Sequence, residues 1–299
     1  MSLSKLGVGV IGTGMAATPH AKALNDLRDN IDLRGVFSRD AKKCKIFAER
    51  FDFPFIKNVE DLINDPKLDI IIIITPPNQR LKLAQQFSGA GKHILMEKPI
   101  ERSSAGAKKI VNMCKEKNVK LGIVFQHRFR ESSQKLKKLV FSNSLGSIFT
   151  VQVQVPWWRD QSYYDEPGRG TYERDGGGVL ISQAIHTLDL MLSLTGSVSE
   201  VQALSSTSQF HKMETEDFVA GGLKFKSGAS GAIFASTSSF PGNAESITLN
   251  CEKASAHLQS GVLTINWLDG RMEKFGETSG TGAGVDPMAF PHDWHRDLI

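Results

Sequence analysis

Residues 69–74 read Asp-Ile-Ile-Ile-Ile-Ile, an apolar run with no alternation. A strand that reads this way must be covered on both faces, as strands of a parallel sheet are. Similar runs occur at 6–11, 31–37, 93–96 and 120–125. Between them, residues 40–51, 78–90 and 103–117 carry apolar positions at helical spacing. Strand and helix in alternation predict a doubly wound α/β domain.

After residue 145 the pattern changes. "SIFTVQVQV", "SEVQALSSTS", "EDFVAGGLKF", "GAIFASTSS" and "SITLNCE" alternate with a period of two, and one helical segment, residues 179–194, interrupts them. Period-two strands separated by turn residues predict an open, mostly antiparallel sheet in an α+β domain. With 299 residues, two domains are expected, 1–126 and 127–299. Residues 276–287 read as a loop.

Bulk properties exclude several classes. There is no run of 18 apolar residues, so no membrane span is expected. The chain enters its first strand without the basic, apolar and small-residue order of a secretory signal. Three widely spaced cysteines form no disulfide framework and lack metal-ligand spacing, which predicts a reducing cytosol and no metal. A net charge of +4, from 36 basic and 32 acidic residues, is too mild for a nucleic-acid surface. It would still welcome a small anion.

The first strand runs into "GVIGTGMAA", where Gly12, Gly14 and Ala17 form G-x-G-x-x-A. The first glycine permits the turn, the second lets backbone approach a pyrophosphate, and the small third residue lets helix and strand pack closely. The free N–H groups of the following helix suit phosphates. Lying between a strand and a helix in an alternating α/β pattern, the motif predicts a dinucleotide site. At the tip of the second strand, Ser38 and Arg39 suit the 2′-phosphate of NADP, which makes NADP the preferred expectation over NAD. The competing reading is a solvated Arg39 followed by Asp40 as a helix cap.

Two further stretches stand out. "ILMEKPIERS", residues 94–103, ends a buried strand in Glu97-Lys98-Pro99. "DGGGVLISQAIHTLDLM" joins three glycines, Gly176 to Gly178, to a helical run. The glycines suggest backbone passing close to something. At helical spacing Ser182, His186 and Asp189 share one face, while Leu180, Ala184, Leu188 and Leu192 form an apolar one. His186 then reads either as an oriented base or as a histidine satisfied inside a buried helix.

Taken together, "GVIGTGMAA", "TPPNQR" at 75–80, "GKHILMEKPIERS", "GGGVLISQAIHTLD" and "GSIFTVQVQV" resemble the glucose–fructose oxidoreductase / inositol dehydrogenase (Gfo/Idh/MocA) family over nearly the whole chain. The resemblance implies an N-terminal Rossmann domain holding a nicotinamide cofactor. The substrate, lying between that domain and the open sheet, would be a sugar, nucleotide sugar or cyclitol. Lys98 and His186 match the family's catalytic lysine and histidine. In the family this lysine–proline bond is often cis, so an unusual backbone is expected at Lys98–Pro99. Met15, Thr75, Pro76, Asn78, Glu97 and Lys98 join Gly12, Gly14, Ala17, Ser38 and Arg39 as expected cofactor contacts. Many relatives carry aspartate where this chain has Ser182, which puts a full Lys–Asp–His relay in doubt. Ser182 and Gln183 are expected near the substrate. A homodimer or homotetramer through the open sheet is also implied.

The loop at 155–178 is dense in aromatics and arginines. Arg159, Tyr163, Tyr164 and Arg169 are its expected sugar contacts, with a purely structural loop or a subunit contact as the equal alternative. His127 and Arg128 read either as substrate contacts or as interdomain ties. His292 and Trp294, at the start of a helix that relatives continue, are further candidates. Two rival functions stand beside the dehydrogenase: a redox-neutral enzyme that oxidises and re-reduces its substrate, and a non-catalytic dinucleotide sensor.

Overall fold

A computed structural model describes residues 5–280, 282–284, 286–288 and 290–299, so Thr281 and Val285 of the loop expected at 276–287 lie outside the described residues. The chain forms two compact units. One runs to Val124 and takes in His292–Ile299, and the other is Phe125–Pro291.

The first unit contains β1 (Leu6–Ile11), α1 (Ala17–Asp26), β2 (Ile31–Phe37), α2 (Ala41–Phe51), α3 (Val59–Ile63), β3 (Ile70–Ile73), α4 (Arg80–Gly89), β4 (His93–Glu97), α5 (Ser104–Glu116) and β5 (Leu121–Val124). Its five strands are parallel in the order β2-β1-β3-β4-β5. The isoleucine run explains itself here. Ile72 and Ile74 pack with Val8, Val36, Leu24 and Phe47 on one side. Ile71 and Ile73 pack with Leu62, Phe87, Met96 and Ile110 on the other. Each buried isoleucine contributes roughly 1.5–3 kcal/mol, so a single polar substitution in this strand would be costly.

In the second unit, α6 (Glu131–Phe141) precedes β6 (Ile148–Pro156) and α7 (Gln161–Tyr164). Then follow α8 (Ile185–Thr195), β7 (Val198–Ser206), β8 (Phe218–Phe225), β9 (Ser230–Ser236), β10 (Ser246–Cys251), β11 (Ala254–Gln259), β12 (Val262–Trp267) and β13 (Met272–Phe275). The sheet order is β13-β12-β11-β10-β6-β9-β8-β7. Only the β6–β9 pair is parallel. Leu136 of α6 and Leu190, Met191 and Leu194 of α8 share a core with Val151, Val153 and Val155 of β6.

Two expectations are corrected. The terminal residues belong with the first unit, because α9 (Asp293–Leu298) packs on α1 and Ile299 joins the core beside β1 and β2. The apolar face expected at Leu180, Ala184, Leu188 and Leu192 holds for the first three, which pack in or against the core, and fails at Leu192, which is 42% exposed. Residues Leu180–Ala184 form one π-helical turn before α8. The extra residue in that turn rotates the helix, and the buried face continues through Leu190, Met191 and Leu194.

Candidate active site

Gly12 turns the chain out of β1 at φ +106, where a side chain would stand 3.1 Å from the Ile74 carbonyl carbon and the Thr75 nitrogen. That conformation and that closeness both call for glycine. Beside Gly14 there is open space. Ala17 is fully buried against the sheet. No side chain caps the start of α1, where the Ala17 N–H turns back onto the Gly14 carbonyl oxygen at 3.0 Å. Thr75 Oγ1, at the end of β3, is buried with no hydrogen-bond partner among the described residues. An open glycine, an uncapped helix start and an orphaned hydroxyl fit a dinucleotide pyrophosphate. Met15 is exposed, Pro76 is half-buried, and Asn78 accepts from Gln79 Nε2 at 3.2 Å. Past β2, Ser38 is half-buried and Arg39 exposed, while Asp40 caps α2 by accepting from the Lys43 N–H at 3.0 Å.

The Glu97-Lys98-Pro99 stretch is held from three sides. Its Lys98–Pro99 bond is cis. Glu97 Oε2 accepts from the Lys98 N–H at 3.1 Å. The buried guanidinium of Arg80 donates to the carbonyls of Thr75, Glu97 and Pro99, bracketing Lys98. Burial pushes Arg80 down to about 10, which leaves it charged at neutral pH. Glu97 Oε1 meets His20 Nε2 at 2.8 Å and His295 Nε2 at 4.0 Å. Burial alone would raise the Glu97 pKa. The His20 hydrogen bond and the facing His20, His295 and Lys98 outweigh it and bring it to about 2. His295 is pushed down to about 3, chiefly by burial and then by His20, so its imidazole is neutral.

Among the described residues, His20, Glu97 and His295 form the group whose ligand atoms, within 4.8 Å of one another, lie close enough for a metal. Charge argues against one. A dication there would join the Arg80 and Lys98 cations around a single carboxylate, at a large cost in a buried site. The cluster is better described as a joint in which β4 is hydrogen-bonded to α1 and faces His295 of α9 at 4.0 Å.

In the second unit, the close approach signalled by the three glycines is to protein. A side chain on Gly178 would meet the Glu216 carbonyl oxygen at 1.7 Å. The Glu216 carboxylate accepts from the Gly178 and Leu180 N–H groups at 3.0 and 3.2 Å, favourably placed at a helix start. His186 is buried, with its ring stacked on His127 at 4.9 Å and edge-on to Phe125 at 6.2 Å. Both carboxylate oxygens of Asp189, expected to share the histidine's face, go to Arg128 at 2.6 Å. Arg128 is thereby fixed within this unit. Ser182 is half-buried, and Gln183 is buried with Nε2 toward Tyr163 Oη at 3.4 Å.

The aromatic loop divides. Arg159 does not present its guanidinium to solvent. It is buried and donates to the carbonyls of Trp158, Gly282, Ala283 and Gly284. Tyr164 is buried too, its hydroxyl 2.7 Å from Thr237 Oγ1 and its pKa raised by that burial. Both expected sugar contacts are thus loop anchors, because the loop needs donors for its own backbone. Tyr163 and Arg169 remain partly open, with the Arg169 guanidinium 4.0 Å over the Tyr163 ring and paired with Glu166 at 2.6 Å.

His20, Arg80, Arg130, Glu245 and His295 received no role from sequence. Arg80 opens α4, where a cation opposes the helix dipole, and that mismatch was the available signal. His20 interrupts a buried stripe of Ala17, Ala21 and Leu24. His292 and Trp294 fall on the returning segment, with His292 Nε2 2.8 Å from Asp26 Oδ2 and Trp294 buried.

A parallel sheet with a glycine turn and uncapped helix at its carboxyl edge defines a dinucleotide-binding unit. Residues 6–125 match the oxidoreductase family with an NAD-binding Rossmann fold, and residues 133–257 match the GFO/IDH/MocA C-terminal domain. The chain belongs to the GFO/IDH/MocA oxidoreductase family. A myo-inositol 2-dehydrogenase of Thermotoga maritima is 29% identical over 235 residues, 76% of this chain and 67% of that protein. The NADP(+)-dependent scyllo-inositol 2-dehydrogenase of Bacillus subtilis is 26% identical over 217 residues, covering 71% of this chain and 57% of its own length. Among solved structures, the WlbA dehydrogenase from Bordetella pertussis, in complex with NADH and UDP-GlcNAcA, is 28% identical with a TM-score of 0.81. That match covers 86% of this chain and 78% of the WlbA chain. No helix among the described residues is long and apolar enough to cross a membrane.

Proposed function

We propose that the chain is an NAD(P)-dependent dehydrogenase or reductase acting on a carbinol of a sugar, nucleotide sugar or cyclitol. The observation that carries this reading is the cradle of Lys98. Its N–H is held by Glu97, and the carbonyls on either side by Arg80, at the carboxyl edge of a sheet whose first turn suits a pyrophosphate. Such a lysine is preorganised to donate to an oxygen on which negative charge develops. The inositol dehydrogenases and the WlbA enzyme among its relatives support the substrate class.

In the oxidising direction we assign to His186 the acceptance of the hydroxyl proton, and to Lys98 a hydrogen bond to an oxygen on which negative charge develops. The bound nicotinamide supplies the hydride acceptor. In reduction, His186 returns its proton to the carbonyl oxygen. Exposed Arg39, with Asp40 engaged as a cap, supports NADP over NAD.

The test is net nicotinamide turnover across sugars, cyclitols and nucleotide sugars with each cofactor, repeated with Lys98→Ala. Turnover that falls by ~10²–10⁴-fold in the variant supports the reading. Tight dinucleotide binding without net turnover on any substrate would overturn it in favour of a redox-neutral enzyme or a sensor.

A further inference from the structure

We propose that His127 is the positioning residue of His186: a neutral imidazole, locked in one tautomer by Arg130, that serves as the plate against which the His186 ring is set. This rests on the reading of His186 as the base.

The two rings stack with centroids 4.9 Å apart and planes 27° apart. Both histidines are buried, at 4% and 7% exposure. An Arg130 terminal nitrogen stands 2.7 Å from His127 Nε2. A guanidinium has N–H donors, no acceptor, and keeps its proton in proteins. Nε2 of His127 is therefore the acceptor, and the ring proton sits on Nδ1. Two charged groups thus face the ring, the Arg130 cation at Nε2 and the Glu245 carboxylate 3.9 Å from the protonated Nδ1, and protonating Nε2 as well would set two donors face to face. Arg130 is itself fixed, its other terminal nitrogen 2.7 Å from Glu245 Oε1, with both side chains about 5% exposed or less.

Rigid connections thus run from Glu245 before β10, through Arg130 before α6, to His127 in the turn Gln126–Phe129 and on to His186 in α8. A cavity of about 10 Å³, the room one water needs, opens among His127, Arg130, Thr187 and Glu245. Thr187 Oγ1 and Glu245 Oε2 are buried polar atoms without a hydrogen-bond partner among the described residues, so that cavity suits a bridging water.

The chemical consequence follows from charge. A neutral plate orients His186 without competing for the proton that His186 must accept. The carboxylate along the same helix, Asp189, is already spent on Arg128.

Imidazole ¹⁵N spectra of the full chain test the tautomer directly, with His127 assigned through His127→Gln. The expected result is a neutral Nδ1–H ring throughout about pH 6–8, the range in which an ordinary imidazole titrates. Arg130→Leu should let His127 titrate there. A wild-type His127 that titrates, or carries its proton on Nε2, overturns the proposal. Turnover gives the second test. His127→Ala should lower kcat by ~10²-fold, the scale of a misplaced reacting group, with KM for the cofactor unchanged. His127→Phe, which keeps the plate, should recover most of that loss. Wild-type kcat in His127→Ala overturns the positioning role. Full turnover in His186→Ala would instead overturn the base reading, and the spectra would still decide the tautomer.

Discussion

His20 Nε2 stands 2.8 Å from Glu97 Oε1, with both side chains sealed from solvent. His20 lies on the helix that opens at the phosphate turn, and Glu97 precedes the proposed catalytic lysine. One hydrogen bond therefore ties the cofactor end of the first unit to its Lys98 end, with His295 of α9 as the third member.

This joint should make the protein acid-sensitive. Folded Glu97 stays ionised to about pH 2, against an ordinary value of 4.5. Folded His295 stays neutral to about pH 3, against 6.5. In both cases the unfolded chain binds protons that the folded chain refuses, so stability falls as pH drops. The loss should begin below about 6.5 through His295 and deepen from about 4.5 downward through Glu97. Glu97 alone is worth on the order of 3 kcal/mol at neutral pH. Denaturant unfolding from pH 7 to 4 should show a falling midpoint, flatter in His295→Phe. A midpoint independent of pH across that range would remove the joint's role.

Two neighbouring glycines should separate folding from binding. Gly12→Ala places a side chain at φ +106 against β3, so it should cost about 1–3 kcal/mol of stability. Gly14→Ala points its methyl into open space and should melt like the wild type. Its dinucleotide affinity should still fall by about tenfold or more, the scale of one lost hydrogen bond to a charged phosphate. Calorimetric melting and dinucleotide titration check the pair. Unchanged affinity in Gly14→Ala would place the pyrophosphate elsewhere.

Arg39→Ala should weaken NADP binding by ~10–100-fold while leaving NAD unchanged, since a bidentate pair with the 2′-phosphate is lost. Equal titrations of both cofactors by variant and wild type would make Arg39 a solvated residue.

The parallel sheet was legible because Ile70–Ile74 lacks alternation, and its two cores show why. Gly12 was legible because a positive φ leaves so few choices. The buried joint was not, since His20, Glu97 and His295 are separated by 77 and more residues and meet only when α9 docks on α1. Arg159 misled for the opposite reason. An arginine among aromatics reads the same in a sugar site or in a loop that must satisfy its own carbonyls, and only the fold shows Gly282–Gly284 beneath it. The π-turn before α8 was equally silent, because no residue in Leu180–Ala184 demands it.

The second unit should weaken on the alkaline side. His211 Nδ1 lies 2.7 Å from Asp217 Oδ2, and its Nε2 lies 2.9 Å from the Arg159 carbonyl oxygen. Both neighbours are acceptors, so both nitrogens donate and the buried ring is an imidazolium. Burial opposes that charge, but the Asp217 and Arg159 carbonyl hydrogen bonds, helped by the charges of Asp217 and Asp160, raise its pKa above the ordinary 6.5. Asp217 is held ionised in turn, against burial, by His211 and by the Ser208 N–H and hydroxyl. The other groups facing the ring are Tyr164, 4.8 Å away and neutral, and Trp158. Because the folded pKa is raised, the stabilisation is full below about 6.5 and is lost as pH rises through the folded value. Urea unfolding of the wild type should give a midpoint that declines from pH ~6 to ~9, while His211→Gln should start lower and stay flat over that range. A wild-type midpoint that holds or rises across it would mean His211 is neutral in the folded chain, with one nitrogen facing an acceptor it cannot satisfy.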